Sequence, residues 1–406
     1  MAMRHGSVVK SLDTTSGLQG TAFPATSILP AAPIGVEILE GHDGTLPDIE
    51  REWAECLASA PEHQQLFGYH WFAAWLQHLA REDGWTGDVR ILLARDSEQR
   101  PLGILPLAKR CYHGAVFWAL AGYYQPHRGY VCLPEQRAGI CVALARALLD
   151  TQGWRECLRF GPYDTAYPER RLLVEELTRR TRRVTVFNLE PTIVARDIPQ
   201  STDAYREMVR SHSSLWRALS YERRMERDGD TEIRHYQQPA GEELRRMLED
   251  CAAVERKSWL TSDADGRPRF ASHASQRYWE QVCAKQLVPQ RQLNVWVAYF
   301  NEEPIAFRFT ATTGTIRYAI ANQYDQRFER YRLGWILYLY DLADCATHGV
   351  RSMDMGTGKI GYKAHRGGKE EAMNQVIMVW PPGPIGHLAT ALAAFGPIHR
   401  RIRRRI

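Results

Sequence analysis

The feature that most constrains the fold is an order of elements that occurs twice. In the first half, "DVRILLARD" (Asp88 to Asp96), "LGILPLAKR" (Leu102 to Arg110) and "GAVFWALAG" (Gly114 to Gly122) read as three strands joined by tight turns. A helix from about Glu135 to Asp150, a strand at Cys157 to Phe160, a helix around Glu169 to Thr181 and a strand at Val184 to Leu189 follow. In the second half three more closely spaced strands span Asn294 to Gln323. A helix from about Gly334 to His348, a short strand from Val350 to Met355, a glycine-rich loop and a strand from Asn374 to Pro381 follow these. Helical spacing precedes each meander. It covers Leu46 to Ala60 and Leu66 to Arg81 in the first half. In the second it covers Thr202 to Val209, Ser214 to Asp228, Glu242 to Ser258 and Ser275 to Lys285, with a strand from Thr231 to Gln237. A duplicated α+β architecture follows, with mixed sheets flanked by helices.

Length agrees, since 406 residues exceed one ordinary core. The expected division is a disordered tail over 1–35, domains over 36–195 and 196–385, and a basic tail over 386–406. The first 35 residues are rich in Ser, Thr, Gly and Pro and lack an apolar run, so a secretory signal is not expected. No stretch approaches the 18 apolar residues of a membrane span. None of the eight cysteines form a C-x-x-C pair, which fits reduced thiols in a cytoplasmic protein. The net charge of +5 suits an anionic ligand without demanding nucleic acid, and DNA is not an expected partner.

Zinc, dinucleotide and serine-hydrolase chemistry lack their motifs: there is no H-E-x-x-H, no glycine fingerprint after a first strand, and no G-x-S-x-G. In "MDMGTGKIGYKAHRGGKE" (Met353 to Glu370), Gly356 and Gly361 have the Walker A gap. Tyr362 stands where that motif needs Lys, which excludes a nucleotide triphosphate cradle. The basic tail "HRRIRRRI" (His399 to Ile406) reads as a solvated terminus that can also touch an anionic membrane or RNA.

Five stretches in order carry a family resemblance: "SSLWRALSYERRMERDGDTEIRHY", "AVERKSW", "NEEPIAFRF", "NQYDQRFERYRLGWILY" and "HGVRSMDMGTGKIGYK", between Ser213 and Lys363. Together they resemble the acetyltransferase family related to cellulose-biosynthesis acetyltransferases. That family belongs to the GCN5-related N-acetyltransferase (GNAT) superfamily and is similar to the two-domain Fem peptidoglycan-bridge transferases. The resemblance covers about Ser201 to Val379, and more weakly Val36 to Leu189. It implies tandem GNAT-like (acyl-CoA N-acyltransferase) folds, a C-terminal domain that transfers an acyl group from acyl-CoA to an amine or, less often, a hydroxyl, and an N-terminal domain that binds the acceptor.

The resemblance also assigns sites. An acyl-CoA pyrophosphate suits the start of the helix near Gly334, where free N–H groups and the helix dipole meet an anion. Gln323, Tyr324, Arg332, Leu333, Gly334 and Trp335 are the expected acyl-CoA-binding residues. The related family has Ser-Pro-Gly where this chain has Arg332-Leu333-Gly334, so both the Ser cap and the Pro are missing, and Arg332 can compensate by binding phosphate itself. Asp354 and Lys363 are the expected catalytic residues, one taking a proton from the attacking ammonium and the other polarising a carbonyl or neutralising charge. The plainer readings are a loop cap and a solvated cation. Arg223, Arg224, Gly358, Lys359 and Tyr362 are candidates for substrate or phosphate binding, against the plainer reading of a solvated basic helix face. No metal is expected. The acceptor is a small-molecule, sugar or peptide amine. Two alternatives stay open: a Fem-like donor, aminoacyl-tRNA, and a non-catalytic binding or scaffold protein.

Overall fold

Strands β1 (Gly35–Gly41), β2 (Trp85–Arg95), β3 (Pro101–Tyr112) and β4 (Ala115–Leu120) form an antiparallel run, with α1 (Glu50–Ala58) and α2 (Tyr69–His78) between the first two. The short β5 (Val131–Cys132), α3 (Arg137–Asp150), β6 (Glu156–Asp164), α4 (Pro168–Arg180) and β7 (Val184–Ala195) complete the first half. The second half begins with α5 (Thr202–Ser211), α6 (Ser213–Asp228), β8 (Thr231–Gln237), α7 (Gly241–Arg256) and α8 (His273–Val282). The strands β9 (Leu293–Phe300), β10 (Glu303–Thr313) and β11 (Ile316–Tyr324), helix α9 (Leu333–Thr347) and β12 (Ser352–Thr357) follow. The single turn α10 (Gly361–Ala364), β13 (Gly368–Val379) and α11 (Pro384–Ala394) close the order. This computed structural model describes residues 33–82, 84–112, 115–122, 129–258, 268–287, 292–357, 361–364 and 367–394.

Local chemistry accounts for the elements. Ser201 and Ser272 cap α5 and α8 by accepting the N–H of Ala204 and Ser275 at 3.1 and 3.0 Å. Strand β9 is buried at every residue from Leu293 to Tyr299, as a strand covered on both faces must be.

One sheet runs through both halves in the order β1-β2-β3-β4-β6-β13-β7-β12-β11-β10-β9-β8, with β5 beside β3. Every neighbouring pair on that path is antiparallel except β4–β6 and β11–β12. Each of those two parallel pairs is bridged by a helix, α3 or α9, because a parallel return needs a crossover. The halves exchange their last strands. β7 leaves the first half and pairs with β12, β13 leaves the second and pairs with β6, and the two pair with each other. Buried Asn374 on β13 locks that centre by donating to Thr192 Oγ1 (2.8 Å) and the Glu190 carbonyl (3.1 Å) on β7.

A single apolar layer on one side of the sheet joins α1 and α2 to α7 and α8, with Trp71 edge-on to Trp279 at 5.8 Å. Helices α3 and α4 cover the first half in a second cluster, and α5, α6 and α9 cover the second half in a third. The expected mixed sheet flanked by helices is thus present, and it is shared. β7 and β13 are longer than expected because Glu190, Lys369, Glu370 and Glu371 interrupt the apolar pattern while still lying in these central strands. The sequence pattern gave no sign of α10 or α11.

Candidate active site

Strands β11 and β12 run together for only three pairs: Ile316 with Ser352, Arg317 with Met353 and Tyr318 with Asp354. Past that point they part. β12 turns to β7, where Thr357 stands opposite Thr192, while β11 stays with β10. A bulge at Ile320, with Phe309 opposite Ala321 and Thr310 opposite Ala319, adds local twist to β11 just beyond the fork.

Asp354 lies at this fork. Its Oδ1 accepts the Gly356 N–H at 2.7 Å, a local bond that fixes the carboxylate in the middle of β12. Burial pushes its carboxyl up to about 6, and the charge of Asp164 adds to this, against the Gly356 N–H, Lys363 and Arg170. A carboxyl so placed changes charge near neutral pH, as a general base requires. Lys363 is only 8 % exposed, and its Nζ donates to the carbonyls of Thr357 (2.9 Å) and Gly356 (3.2 Å). It is a buried cation that clamps the turn carrying Asp354, which rules out the solvated-charge reading.

The first half supplies the facing wall. Asp164 ends β6, buried, with Oδ1 accepting the Ala166 N–H at 2.8 Å. Burial, with Asp354 and Asp164 nearby, raises the Tyr167 phenol, and the Arg170 guanidinium 4.6 Å over its ring works against that. His63 stacks on Tyr167 at 4.1 Å and 11°, with Nε2 2.9 Å from Glu169 Oε1. The neighbouring Glu62 accepts the Thr315 N–H at 2.7 Å, tying this 3-10 turn (Glu62–Gln64) to the β10–β11 connection. Asp164, Tyr167, Arg170 and His63 escaped the sequence reading. "YDTAYPER" carries only the signal of a turn before a helix, and nothing in it points to a fork built by the other half.

At the far end of β11, about 20 Å from Tyr318 by strand rise, Tyr324 is half-buried beside the start of α9. Burial raises its phenol, which Glu329 reinforces and Arg332 opposes. Arg332 immediately precedes α9 in the left-handed conformation (φ 50, ψ 43), and no side chain caps the helix. Its guanidinium is half exposed and 3.5 Å from Glu329. Leu333 is buried in the cluster under α9, and Trp335 is half-buried, edge-on to Tyr338 at 6.4 Å. Gly334 lies between them in the first turn. Gln323 points to the other face of the sheet, where its Nε2 donates to Glu255 Oε1 at 2.9 Å. That carboxylate also accepts the N–H groups of Arg269, Phe270 and Ala271. Arg223 and Arg224 are exposed on α6, which packs against α9 through Met225. Gly358 and Lys359 lie outside the described residues, as does the side chain of Tyr362.

A buried ion cluster fixes α9 to the sheet. Asp341 on α9 accepts from Arg308 Nε of β10 at 2.6 Å and from Arg317 Nη1 of β11, and Arg317 Nη2 reaches Asp344 at 2.7 Å. The cluster thus ties the middle of α9 to β10 and to β11, the strand that forms one side of the fork. Among the described residues no group of three or more His, Cys, Asp or Glu side chains could hold a metal ion, and no helix is long and apolar enough to cross a membrane.

Residues 217–364 match the acetyltransferase (GNAT) domain family. The region includes Asp354, Lys363 and the whole of α9. None of the curated proteins matches the chain. Among solved structures, FemX superposes with a TM-score of 0.53 at 12% identity, over 84% of this chain and 96% of that one. The C-terminal domain of a putative lysylphosphatidylglycerol synthetase from Agrobacterium fabrum gives 0.49 at 10% identity, over 86% and 96%. A tandem GNAT protein from the clavulanic acid biosynthesis pathway gives 0.41 at 13% identity, over 86% and 99%. Residues 217–364 thus carry a GNAT-type domain, set in a chain whose fold, with its two crossover-bridged parallel pairs, is similar to that of FemX.

Proposed function

We propose that this protein transfers an acyl group from acyl-CoA to an amine by direct attack on the thioester, at the fork between β11 and β12. The observation that carries the reading is Asp354, a carboxyl near neutral titration at the point where the two strands separate. Acyl-CoA, when bound, supplies an activated acyl carbon and a thiolate leaving group. Asp354 takes the proton of the incoming ammonium. Lys363 keeps the turn closed and holds Asp354 in register. Arg332, Leu333, Gly334 and Trp335, with Tyr324, form the phosphate end. The spacing along β11 between that end and the fork matches an extended pantetheine arm, and an uncapped helix start with an arginine beside it fits a pyrophosphate. Arg223 and Arg224 on the adjoining helix extend the cationic surface. Asp164 and Tyr167 border the acceptor side and favour a cationic amine over an anionic acceptor. A small molecule, a sugar amine or a peptide amine meets that description. The eight free cysteines, seven of them buried, accord with a reducing compartment such as the cytoplasm.

An aminoacyl-tRNA donor is the second reading. It draws on the FemX-like fold and on the start of α9, where a left-handed Arg332 replaces the related family's Ser cap. Thermal shifts with CoA, acetyl-CoA and longer acyl-CoAs, on wild type and Arg332→Ala, separate the two. Stabilisation by acyl-CoA that weakens in the variant is the expected result. No shift with any acyl-CoA removes this donor and leaves aminoacyl-tRNA or a non-catalytic role.

A further inference from the structure

Helix α11 is packed inside out. Its contacts with the protein use small side chains: Gly386 and Ala393 are buried, and Ala389 and Thr390 are half-buried. Ala393 joins Phe187, Val376 and Met378 of the two exchanged strands. The large apolar side chains point the other way. Ile385, Leu388 and Leu392 are 65 %, 61 % and 45 % exposed. Their i, i+3, i+7 spacing places them on one stripe of the helix. No charged residue occurs between Pro384 and Ala394. Surface apolar residues scattered singly need no explanation, but a stripe of three on a helix without charge does.

The charge of the adjoining chain selects the occupant. From Ala372 to Ile406 there is no Asp or Glu, while Arg400, Arg401, Arg403, Arg404 and Arg405 follow α11 closely, interleaved with Ile398, Ile402 and Ile406. Apolar stripe and arginines together match a bilayer surface, where acyl chains receive the large apolar groups and anionic headgroups receive the guanidinium groups. A second copy of this chain would add five more arginines and no acidic residue over the same stretch of sequence, and like charges repel.

We propose that α11 and the arginine-rich residues after it dock this protein on an anionic phospholipid surface, with the Ile385–Leu388–Leu392 stripe inserted at the headgroup boundary. The helix lies in the surface and does not span it. This surface is separate from the fork at Asp354, and the proposal is independent of the acyl donor.

The test is co-sedimentation of the full chain with vesicles of phosphatidylcholine containing phosphatidylglycerol, against phosphatidylcholine alone. Wild type is expected to pellet with the anionic vesicles only, and to be released by salt. The triple variant Ile385→Ser, Leu388→Ser, Leu392→Ser, whose side chains contribute little to the core, is expected to keep its melting temperature and to bind about 100-fold more weakly. Replacing the five arginines by Gln is expected to cost roughly fivefold per residue. This second variant leaves α11 unaltered and keeps the proposal testable if the first fails to fold. Wild type left in the supernatant, or pelleting equally with both vesicles, overturns the proposal. So does sedimentation without vesicles as a dimer that the triple variant converts to monomer, because a second copy then covers the stripe.

Discussion

Substituting Asp341 by Asn should be among the most destabilising single changes in the second half. Asp341 is 0 % exposed and accepts from two guanidinium groups, Arg308 at 3 % exposure and Arg317 at 1 %. With Asp344 the cluster holds two positive and two negative charges and is neutral. The Asn variant keeps the shape and one acceptor oxygen but leaves a net positive charge in the interior. An ion pair about 4 Å between charges is worth about 4 kcal/mol at an effective dielectric constant of ~20, and here two such pairs are lost. Relief of the cost of desolvating Asp341 returns part of this. Measured losses of one partner from a buried pair fall at about 3–5 kcal/mol, which is the expected effect. Urea unfolding followed by tryptophan fluorescence reads it. Asp344→Asn should cost less, about 1.5–3 kcal/mol, since Asp344 meets one arginine and the half-exposed His348. Replacing Arg308 and Arg317 by Met together with Asp341→Leu and Asp344→Asn, which removes all four charges, should recover most of the loss. An Asp341→Asn protein within about 1 kcal/mol of wild type would refute the reasoning, because the cluster then contributes nothing net.

Asp354→Asn should lower kcat by roughly 10²–10⁴-fold with the fold retained, as expected for removal of a general base. In wild type, log kcat/KM should rise with pH and level off above about pH 6, and Asp164→Asn, which removes a neighbouring negative charge, should move that limb to lower pH. The same group couples to stability. Its folded value is raised from 3.8 to about 6, so the folded chain binds the proton more tightly and loses stability as pH rises across that window. Asp354→Asn should therefore be more stable than wild type above pH 6, by no more than about 3 kcal/mol, with no gain below pH 4; a constant difference across pH in melting scans would contradict it. Lys363→Met strands the carbonyls of Gly356 and Thr357, and a loss of about 1.5–3 kcal/mol in urea midpoints, with a fall in kcat, is expected.

The order of elements was legible because periodicities of 2 and 3.6 are local properties. The exchange of β7 and β13 was not, since nothing in a strand's own pattern names the strand beside it. Asp354 and Lys363 are reached through the family resemblance, which assigns positions on either side of a glycine-rich turn. Their partners Asp164, Tyr167 and His63 come from the other half, where a buried Asp before a helix looks like any turn residue. Gln323 and Tyr324 were read as neighbours on one ligand, but successive strand residues face opposite ways, and only Tyr324 faces α9. α11 was missed for the converse of the usual reason. With small residues inward and large ones outward, and no charge between them, it has no polar face to mark its period.

The crossed strands at the centre also set a timetable for synthesis. β7 emerges at Ala195, yet both strands that flank it, β12 and β13, lie at the end of the described chain. Roughly 170 residues separate Ala195 from Gly368, which at ~5–20 residues per second is a wait of roughly 10–35 s. During that interval β6 has an open edge and β7 has no sheet to join, a state prone to pairing with other nascent chains. A ribosome-bound chain halted near Thr202 should therefore hold its first half open to proteases and chaperones. The same half should become protected only when the closing strand, carrying Asn374, has cleared the exit tunnel.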